Sequence, residues 1–90
     1  MKRLQLRISG KVQGRGYRWF VRASAEETGA SGWVRNEVDG TVTAEVQATD
    51  EALRLLLQQL QAGNGAARVH AITAVSIPVE EQETGFEIRT

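Results

Sequence analysis

The sequence predicts an α+β fold in which two helices pack on one face of an antiparallel sheet. Several short runs alternate apolar and polar residues, which is typical of strands with one buried face. Two longer runs repeat their apolar residues at helical spacing. The runs follow one another in the order βαββαβ, and a further short strand ends the chain.

The first half of the chain predicts a strand, a helix and a hairpin. Apolar side chains alternate along the first strand at Leu4, Leu6, Ile8 and Val12. Trp19 to Glu27 is predicted to be helical, and Gly29 is a typical residue for ending a helix. Two strands follow, Ser31 to Val38 and Thr41 to Ala48, and the Asp39-Gly40 pair between them favours a tight hairpin turn.

The second half predicts another helix and two more strands. Asp50 is a suitable N-cap for a helix whose apolar stripe is formed by Leu53, Leu56, Leu57 and Leu60. Glycines at 63 and 65 end this helix. Alternation of Val69, Ala71, Thr73, Val75 and Ile77 predicts a long fourth strand, and Phe86 with Ile88 predicts a short last one.

This order of elements is the split βαβ, or ferredoxin-like, arrangement. Right-handed crossovers place both helices on the same side of the sheet. Ninety residues suit one domain, so we expect a single domain over residues 1–90.

Composition excludes several classes of protein. The chain has no cysteine, which rules out disulfides and zinc sites built on thiolates. No apolar run approaches the roughly 18 residues of a membrane span, and the N-terminus enters a strand directly rather than a signal peptide. We therefore expect a cytoplasmic protein with no membrane partner.

Charge is balanced overall but unevenly distributed. All the acidic residues lie at or beyond Glu26, whereas seven basic residues precede it. The field of that basic segment would attract a small anion. Solvated strand faces nevertheless remain the more ordinary explanation for Lys2, Arg3 and Arg7. The net charge of zero argues against a dedicated nucleic-acid binder.

The segment from Gly10 to Arg18 combines three glycines and three cations at a strand-to-helix turn, with no acidic residue. Glycines allow close approach of a ligand to the backbone, and a helix N-terminus offers unpaired N–H donors. Such a turn is a plausible binding site for a phosphate or a similar anion.

Two residues are candidates for chemistry near this turn. Arg18 falls in the first helical turn, where the helix dipole disfavours a cation, so an anion shared with the N-terminus is favoured over simple surface packing. Asn36, near the exit of the second strand, could orient a water or hold a turn. Considered alone, Asn36 is better explained by the turn.

Two motifs resemble the signatures of the acylphosphatase family. Gly10, Val12, Gln13, Gly14, Tyr17 and Arg18 match the first, which runs Gly-x-Val-Gln-Gly-Val-x-[Phe/Tyr]-Arg. Gly32, Trp33, Val34, Asn36, Gly40 and Val42 match the second, which runs Gly-[aromatic]-Val-x-Asn-x-x-x-Gly-x-Val. The likeness extends over essentially the whole chain.

The resemblance implies an enzyme that hydrolyses the carboxyl–phosphate bond of small acyl phosphates without metal or cofactor. It implies that Arg18 and the backbone N–H groups of the loop bind the phosphoryl group and that Asn36 positions the attacking water. The loop residues concerned are Gln13, Gly14, Arg15, Gly16, Tyr17 and Arg18. Inorganic phosphate or sulfate would be a product-like ligand, and a monomer without a nucleic-acid partner is expected.

Arg15 departs from the family pattern, which usually has Val at this position. Its side chain could point outward or could add charge at the mouth of the pocket. The outward orientation is favoured, because burying a second cation beside Arg18 is costly unless an anion is bound. An anion-binding module without efficient turnover is therefore an alternative. A third possibility, an RNA-binding module of similar fold, is disfavoured because the third strand lacks aromatic residues. His70, the sole histidine, is expected to be a solvated strand residue.

Overall fold

The computed structural model describes residues 1–90 and contains the seven predicted elements in the predicted order. They are β1 (Lys2–Lys11), α1 (Tyr17–Thr28), β2 (Ser31–Asn36), β3 (Val42–Ala48), α2 (Asp50–Ala62), β4 (Arg68–Ile77) and β5 (Phe86–Arg89). The ferredoxin-like α+β prediction is confirmed. Neither helix has the length and apolar character needed to cross a membrane.

One five-stranded sheet carries the fold, in the order β4-β1-β3-β2-β5. The first four strands pair antiparallel, as predicted, whereas β5 pairs parallel to β2, with Gly32 opposite Phe86. The sheet is therefore mixed, because the chain reverses direction after β4 and enters the opposite edge alongside β2. Parallel pairing at this edge could not be read from the alternation of a four-residue strand.

The core lies between the sheet and the two helices. From α1 it takes Tyr17 and Val21, and from α2 it takes Leu53, Leu56 and Leu60. The two helices are joined where the Tyr17 hydroxyl donates a 2.9 Å hydrogen bond to the carbonyl of Leu60. Burial raises the pKa of Tyr17 well above its usual range, so this hydroxyl stays neutral and acts as a donor.

Both helices begin at slightly different residues from those predicted. The first starts at Tyr17, two residues before Trp19. The second is capped by Thr49, whose hydroxyl accepts from the N–H of Ala52 at 3.2 Å, so the prediction of Asp50 as N-cap is wrong. Asp50 is instead the first helical residue, where its negative charge interacts favourably with the positive end of the helix dipole.

The alternation of β4 is interrupted by an irregularity opposite β1. Pairing shifts between Ser9 and Gly10, which face Ala71 and Val69, so His70 is an extra, exposed residue on β4. After this bulge the other set of side chains faces the helices. Ile72 lies opposite Ile8 and packs on the core, whereas Val75, which belongs to the predicted alternating set, is 60% exposed.

On the helix-free side of the sheet, Arg3 is buried rather than solvated, contrary to expectation. Only 2% of it is exposed, and its guanidinium meets the carboxylates of Glu83 at 2.7 Å and Glu45 at 3.0 Å. The hydrogen bond from Arg3 is the main reason that the pKa of Glu83 is lowered. This pair ties the start of β1 to the segment that precedes β5.

Candidate active site

The segment between β1 and α1 forms a loop rich in unpaired backbone donors. Gly14 and Gly16 adopt left-handed conformations, with φ of 73° and 72°, which glycine reaches without steric cost. The N–H groups of residues 14–16 donate to no group of the chain. The first helical bond, from Phe20 to the carbonyl of Gly16 at 3.1 Å, leaves the three preceding helical N–H groups without intrahelical acceptors.

A concavity of about 210 Å³ lies at this loop and brings the two candidate residues together. It is lined by Val12, Gly14, Gly16, Tyr17, Arg18, Trp19 and Asn36. Thus the end of β2 contributes Asn36 to a wall otherwise made by the loop and the first turn of α1. The residues singled out by the two sequence motifs, far apart in the chain, share one small space.

Arg18 is the second residue of α1 and is partly buried at this concavity. Its Nη1 donates a 3.1 Å hydrogen bond to the carbonyl of Arg89, in β5. Arg18 forms no salt bridge with any carboxylate of the chain. A guanidinium has five N–H donors in a planar fork, so most of its hydrogen-bonding capacity remains for an anion.

Asn36 ends β2 opposite Val42. Its Oδ1 is buried and accepts no hydrogen bond from any group of the chain. The turn interpretation does not fit this arrangement, because the adjoining hairpin is closed by other groups. Glu37 N–H donates to the Thr41 carbonyl at 2.8 Å, and Asp39 accepts from the Thr41 N–H at 3.1 Å. A buried unpaired acceptor costs about 1–3 kcal/mol, which a bound water donor would offset.

Gln13 joins the loop to the hairpin that carries Asn36. Its side-chain amide donates to the carbonyls of Glu37 at 2.7 Å and Thr41 at 2.9 Å. The side chain therefore lies outside the concavity and bridges two segments more than twenty residues apart in sequence. The amide fixes the position of the loop relative to the end of β2.

Arg15 extends away from the concavity toward the segment between α2 and β4. Its Nη1 donates to the carbonyl of Ala66 at 3.3 Å, and its own carbonyl accepts from the side-chain amide of Asn64 at 2.9 Å. Asn64 also accepts from the N–H groups of Ala66 and Ala67. These contacts hold the outer side of the loop to that segment without adding charge to the concavity.

Two features of the site carry no sequence signal. The first is the carbonyl of Arg89 that receives Arg18, because any residue type supplies a carbonyl. The side chain of Arg89 makes a cation–π contact with Trp33, its guanidinium lying 4.7 Å from the ring centroid. The second is Trp19, which lines the concavity although 60% of it is exposed.

No lining residue is a His, Cys, Asp or Glu. The concavity thus offers backbone donors, one guanidinium and one amide, but no side-chain base and no set of metal ligands. Tyr17 does not fill the role of a base, since its hydroxyl is bonded to Leu60 and burial raises its pKa. This donor set suits an anion whose charge is stabilised in place.

Comparison with known proteins agrees with these motifs and with this fold. The family model described as Acylphosphatase matches residues 4–88. A curated acylphosphatase of Thiobacillus denitrificans is 42% identical over 90 residues, covering 100% of this chain and 99% of that one. One from Geobacillus kaustophilus is 40% identical over 98% of this chain and 94% of its own. The crystal structure of acylphosphatase from Bacillus subtilis superposes with a TM-score of 0.95 at 28% identity, and each chain is covered completely.

Proposed function

Because the chain belongs to the acylphosphatase family, whose activity is the hydrolysis of acyl phosphates, we propose that its loop and Arg18 bind the phosphoryl group while Asn36 aligns the attacking water. The buried, unpaired Oδ1 of Asn36 is the observation that carries this assignment. It lies in the same concavity as the guanidinium and the free backbone donors, so phosphoryl group and water would meet there.

Positive charge and backbone N–H groups at the concavity bind the phosphoryl group. The N–H groups of residues 14–16 and of the first turn of α1 supply donors and the positive end of a helix dipole. Arg18 adds a full charge and a planar fork that matches two phosphoryl oxygens. As charge builds on those oxygens in the transition state, preorganised donors of this kind stabilise it without reorganisation.

Asn36 contributes by positioning. Its Oδ1 accepts a hydrogen bond from a water, and the water oxygen attacks phosphorus in line with the bond to the acyl group. The phosphorus–oxygen bond to the acyl group breaks, and its electron pair leaves with the carboxylate. Products are a carboxylate and inorganic phosphate.

The proton released by the water passes to a phosphoryl oxygen of the substrate itself. The absence of an acidic or imidazole side chain from the lining supports this route, since no side-chain base is at hand. A carboxylate is a good leaving group, so little general-acid help is needed. The same lining supports a reaction without a bound metal ion, because it provides no ligand set for one.

Benzoyl phosphate hydrolysis by the purified chain, measured with and without a chelator such as EDTA, tests this function. Turnover at ordinary enzymatic rates, about 1–1000 per second, that is unchanged by the chelator is expected. Loss of turnover in EDTA, restored by a divalent cation, would contradict the metal-independent mechanism. Phosphate binding without turnover would instead identify an anion-binding module.

The same proposal includes a monomer in the cytoplasm. The uncovered face of the sheet supports a monomer, because its central side chains are polar and include Gln5, Arg7 and Thr43. Absence of cysteine is compatible with a reducing compartment. Light scattering after size exclusion tests the first point, with about 10 kDa expected from the 9.9 kDa chain. Cell fractionation tests the second.

A further inference from the structure

We propose that Trp19 is the residue that selects the acyl group, and that the enzyme prefers acyl phosphates with an aromatic or extended apolar acyl group over acetyl phosphate. This inference rests on the proposed function, since it assumes that the phosphoryl group occupies the loop beside Arg18. It concerns the half of the substrate that the loop does not hold.

The lining of the concavity leaves Trp19 as the side chain without another role. Val12 and Tyr17 are 2% and 1% exposed, so they form the buried floor rather than a contact surface. Gly14 and Gly16 present only backbone. Arg18 and Asn36 are assigned to the phosphoryl group and the water. Trp19 is therefore the exposed apolar side chain that an acyl group leaving the loop would meet.

Trp19 is also close to the loop along the chain. It is the third residue of α1 and directly follows Arg18, so its indole rises from the same helical turn that holds the phosphoryl group. An acyl phosphate places its carbonyl and substituent only a few bonds from phosphorus. An acyl substituent that extends from the loop toward the open side of the concavity is thus within reach of the indole ring.

The indole is held rather than free. The Arg22 guanidinium, one helical turn further on, lies 4.6 Å from the centroid of its ring. This cation–π contact occupies one face and restricts rotation of the side chain, which reduces the entropy lost when a ligand packs on the remaining surface. The contact does not bury the residue, which stays 60% exposed.

Trp19 leaves far more of its aromatic surface exposed than the other tryptophan of the chain. Burial of aromatic surface is a main source of stability, and Trp33 in the same chain is only 7% exposed between two arginines. Other exposed apolar side chains, such as Leu55 on α2, lie outside the concavity. Among the exposed large apolar side chains, Trp19 alone lines the concavity.

Two non-hydrolysable phosphonates separate the acyl group from the phosphoryl group. Phenacylphosphonate mimics benzoyl phosphate and acetonylphosphonate mimics acetyl phosphate, with a methylene in place of the bridging oxygen. Their dissociation constants would be measured by calorimetry for the unsubstituted chain and for Trp19→Ala, Trp19→Phe and Leu55→Ala. Binding is recorded without turnover, so this readout does not depend on catalysis.

We expect the unsubstituted chain to bind phenacylphosphonate about three- to tenfold more tightly than acetonylphosphonate, which is the range for one aromatic contact. Trp19→Ala should bring the two affinities within twofold by weakening phenacylphosphonate alone. Trp19→Phe should keep most of the preference, and Leu55→Ala should keep all of it.

An undiminished preference in Trp19→Ala would overturn the inference, as would equal weakening of both phosphonates, which would show that Trp19 supports the loop. Hydrolysis of benzoyl and acetyl phosphate by the unsubstituted chain is measured beside these titrations. Absence of hydrolysis together with a Trp19-dependent preference would refute the proposed function and leave the acyl contact standing.

Discussion

Arg3 near the start of β1 and Arg18 in the first turn of α1 differ in which groups of the chain meet their charge. Arg3, near the start of the strand, is 2% exposed and contacts two carboxylates. Arg18, in the helix that follows the strand, forms no salt bridge, and its side-chain hydrogen bond goes to the carbonyl of Arg89. A charge satisfied within the chain serves the fold, whereas one left unsatisfied beside free backbone donors is available to a ligand.

Replacement of Arg18 gives the largest expected effect on activity. Arg18→Ala removes the only charge in the concavity, and we expect kcat/KM to fall by about 10³-fold, as for loss of a main transition-state donor. The free energy of unfolding should fall by no more than about 1 kcal/mol, since a single hydrogen bond to a carbonyl is lost. Steady-state kinetics and urea unfolding measure the two quantities. A large loss of stability with little loss of activity would show that Arg18, like Arg3, serves the fold and not the site.

Replacement of Arg3 should show the opposite pattern. Arg3→Ala leaves Glu83 and Glu45 without their partner in a mostly buried setting, so the free energy of unfolding should fall by about 3 kcal/mol. The folded fraction should keep its kcat. Arg7→Ala on the same strand is the matched control, because its pair with Asp39 is more than half exposed on both sides and should contribute less than about 1 kcal/mol.

Acid should weaken the Arg3 end of the sheet by protonating Glu83. The pKa of Glu83 is lowered chiefly by the hydrogen bond from Arg3, so its contribution to stability is present above the unfolded value of about 4.5. That contribution is lost as pH falls through the lower pKa of the folded state. Unfolding measured between pH 7 and 2 should show this decline. In Glu83→Gln the decline should be shallower; an unchanged slope would show that the pair does not control acid stability.

Gln13 tests whether the loop must be held in register with β2. Gln13→Met keeps the length of the side chain but removes both hydrogen bonds to the hairpin, so we expect kcat to fall about tenfold through misalignment of Asn36 and the phosphoryl group. Affinity for inorganic phosphate should change less than threefold, because Arg18 and the loop N–H groups remain. A loss confined to phosphate affinity would show that Gln13 shapes only the loop.

Arg15→Val should have the smallest effect. The Arg15 side chain contacts Ala66 outside the concavity, so kcat and phosphate affinity should both stay within about twofold of the unsubstituted chain. The Asn64 contact to the backbone of residue 15 is independent of the side chain and would persist. A loss of phosphate affinity beyond fivefold would show that Arg15 adds its charge to the site.

Sequence patterns predicted the element order, because alternation and helical spacing are local properties of β1, β3 and the two helices. They misjudged β4, since a bulge at His70 reverses which side chains face the core and a bulge depends on the partner strand. They also missed the burial of Arg3, whose partner Glu83 lies eighty residues away. Long-range pairing of single charges leaves no periodic trace.

The candidate site was predictable from the sequence where its residues lie close together along the chain. Arg18 and the glycines lie on one continuous segment with a recognisable chemistry. Considered alone, Asn36 could orient a water or hold a turn, with the turn favoured, and the resemblance to a family shifted the preference to the water. Its unpaired Oδ1 and the bridge from Gln13 arise from the packing of the hairpin against the loop, which no local pattern encodes.

The account's central claim is that Arg18 and the loop bind the phosphoryl group while Asn36 positions the water. The most direct test compares phosphate binding with turnover in Asn36→Ala and Arg18→Ala. Asn36→Ala should bind inorganic phosphate within about threefold of the unsubstituted chain while kcat for benzoyl phosphate falls by about 10²-fold or more. Arg18→Ala should lose both binding and turnover. Near-normal kcat in folded Asn36→Ala, or a loss of phosphate affinity as large as that of Arg18→Ala, would contradict the account.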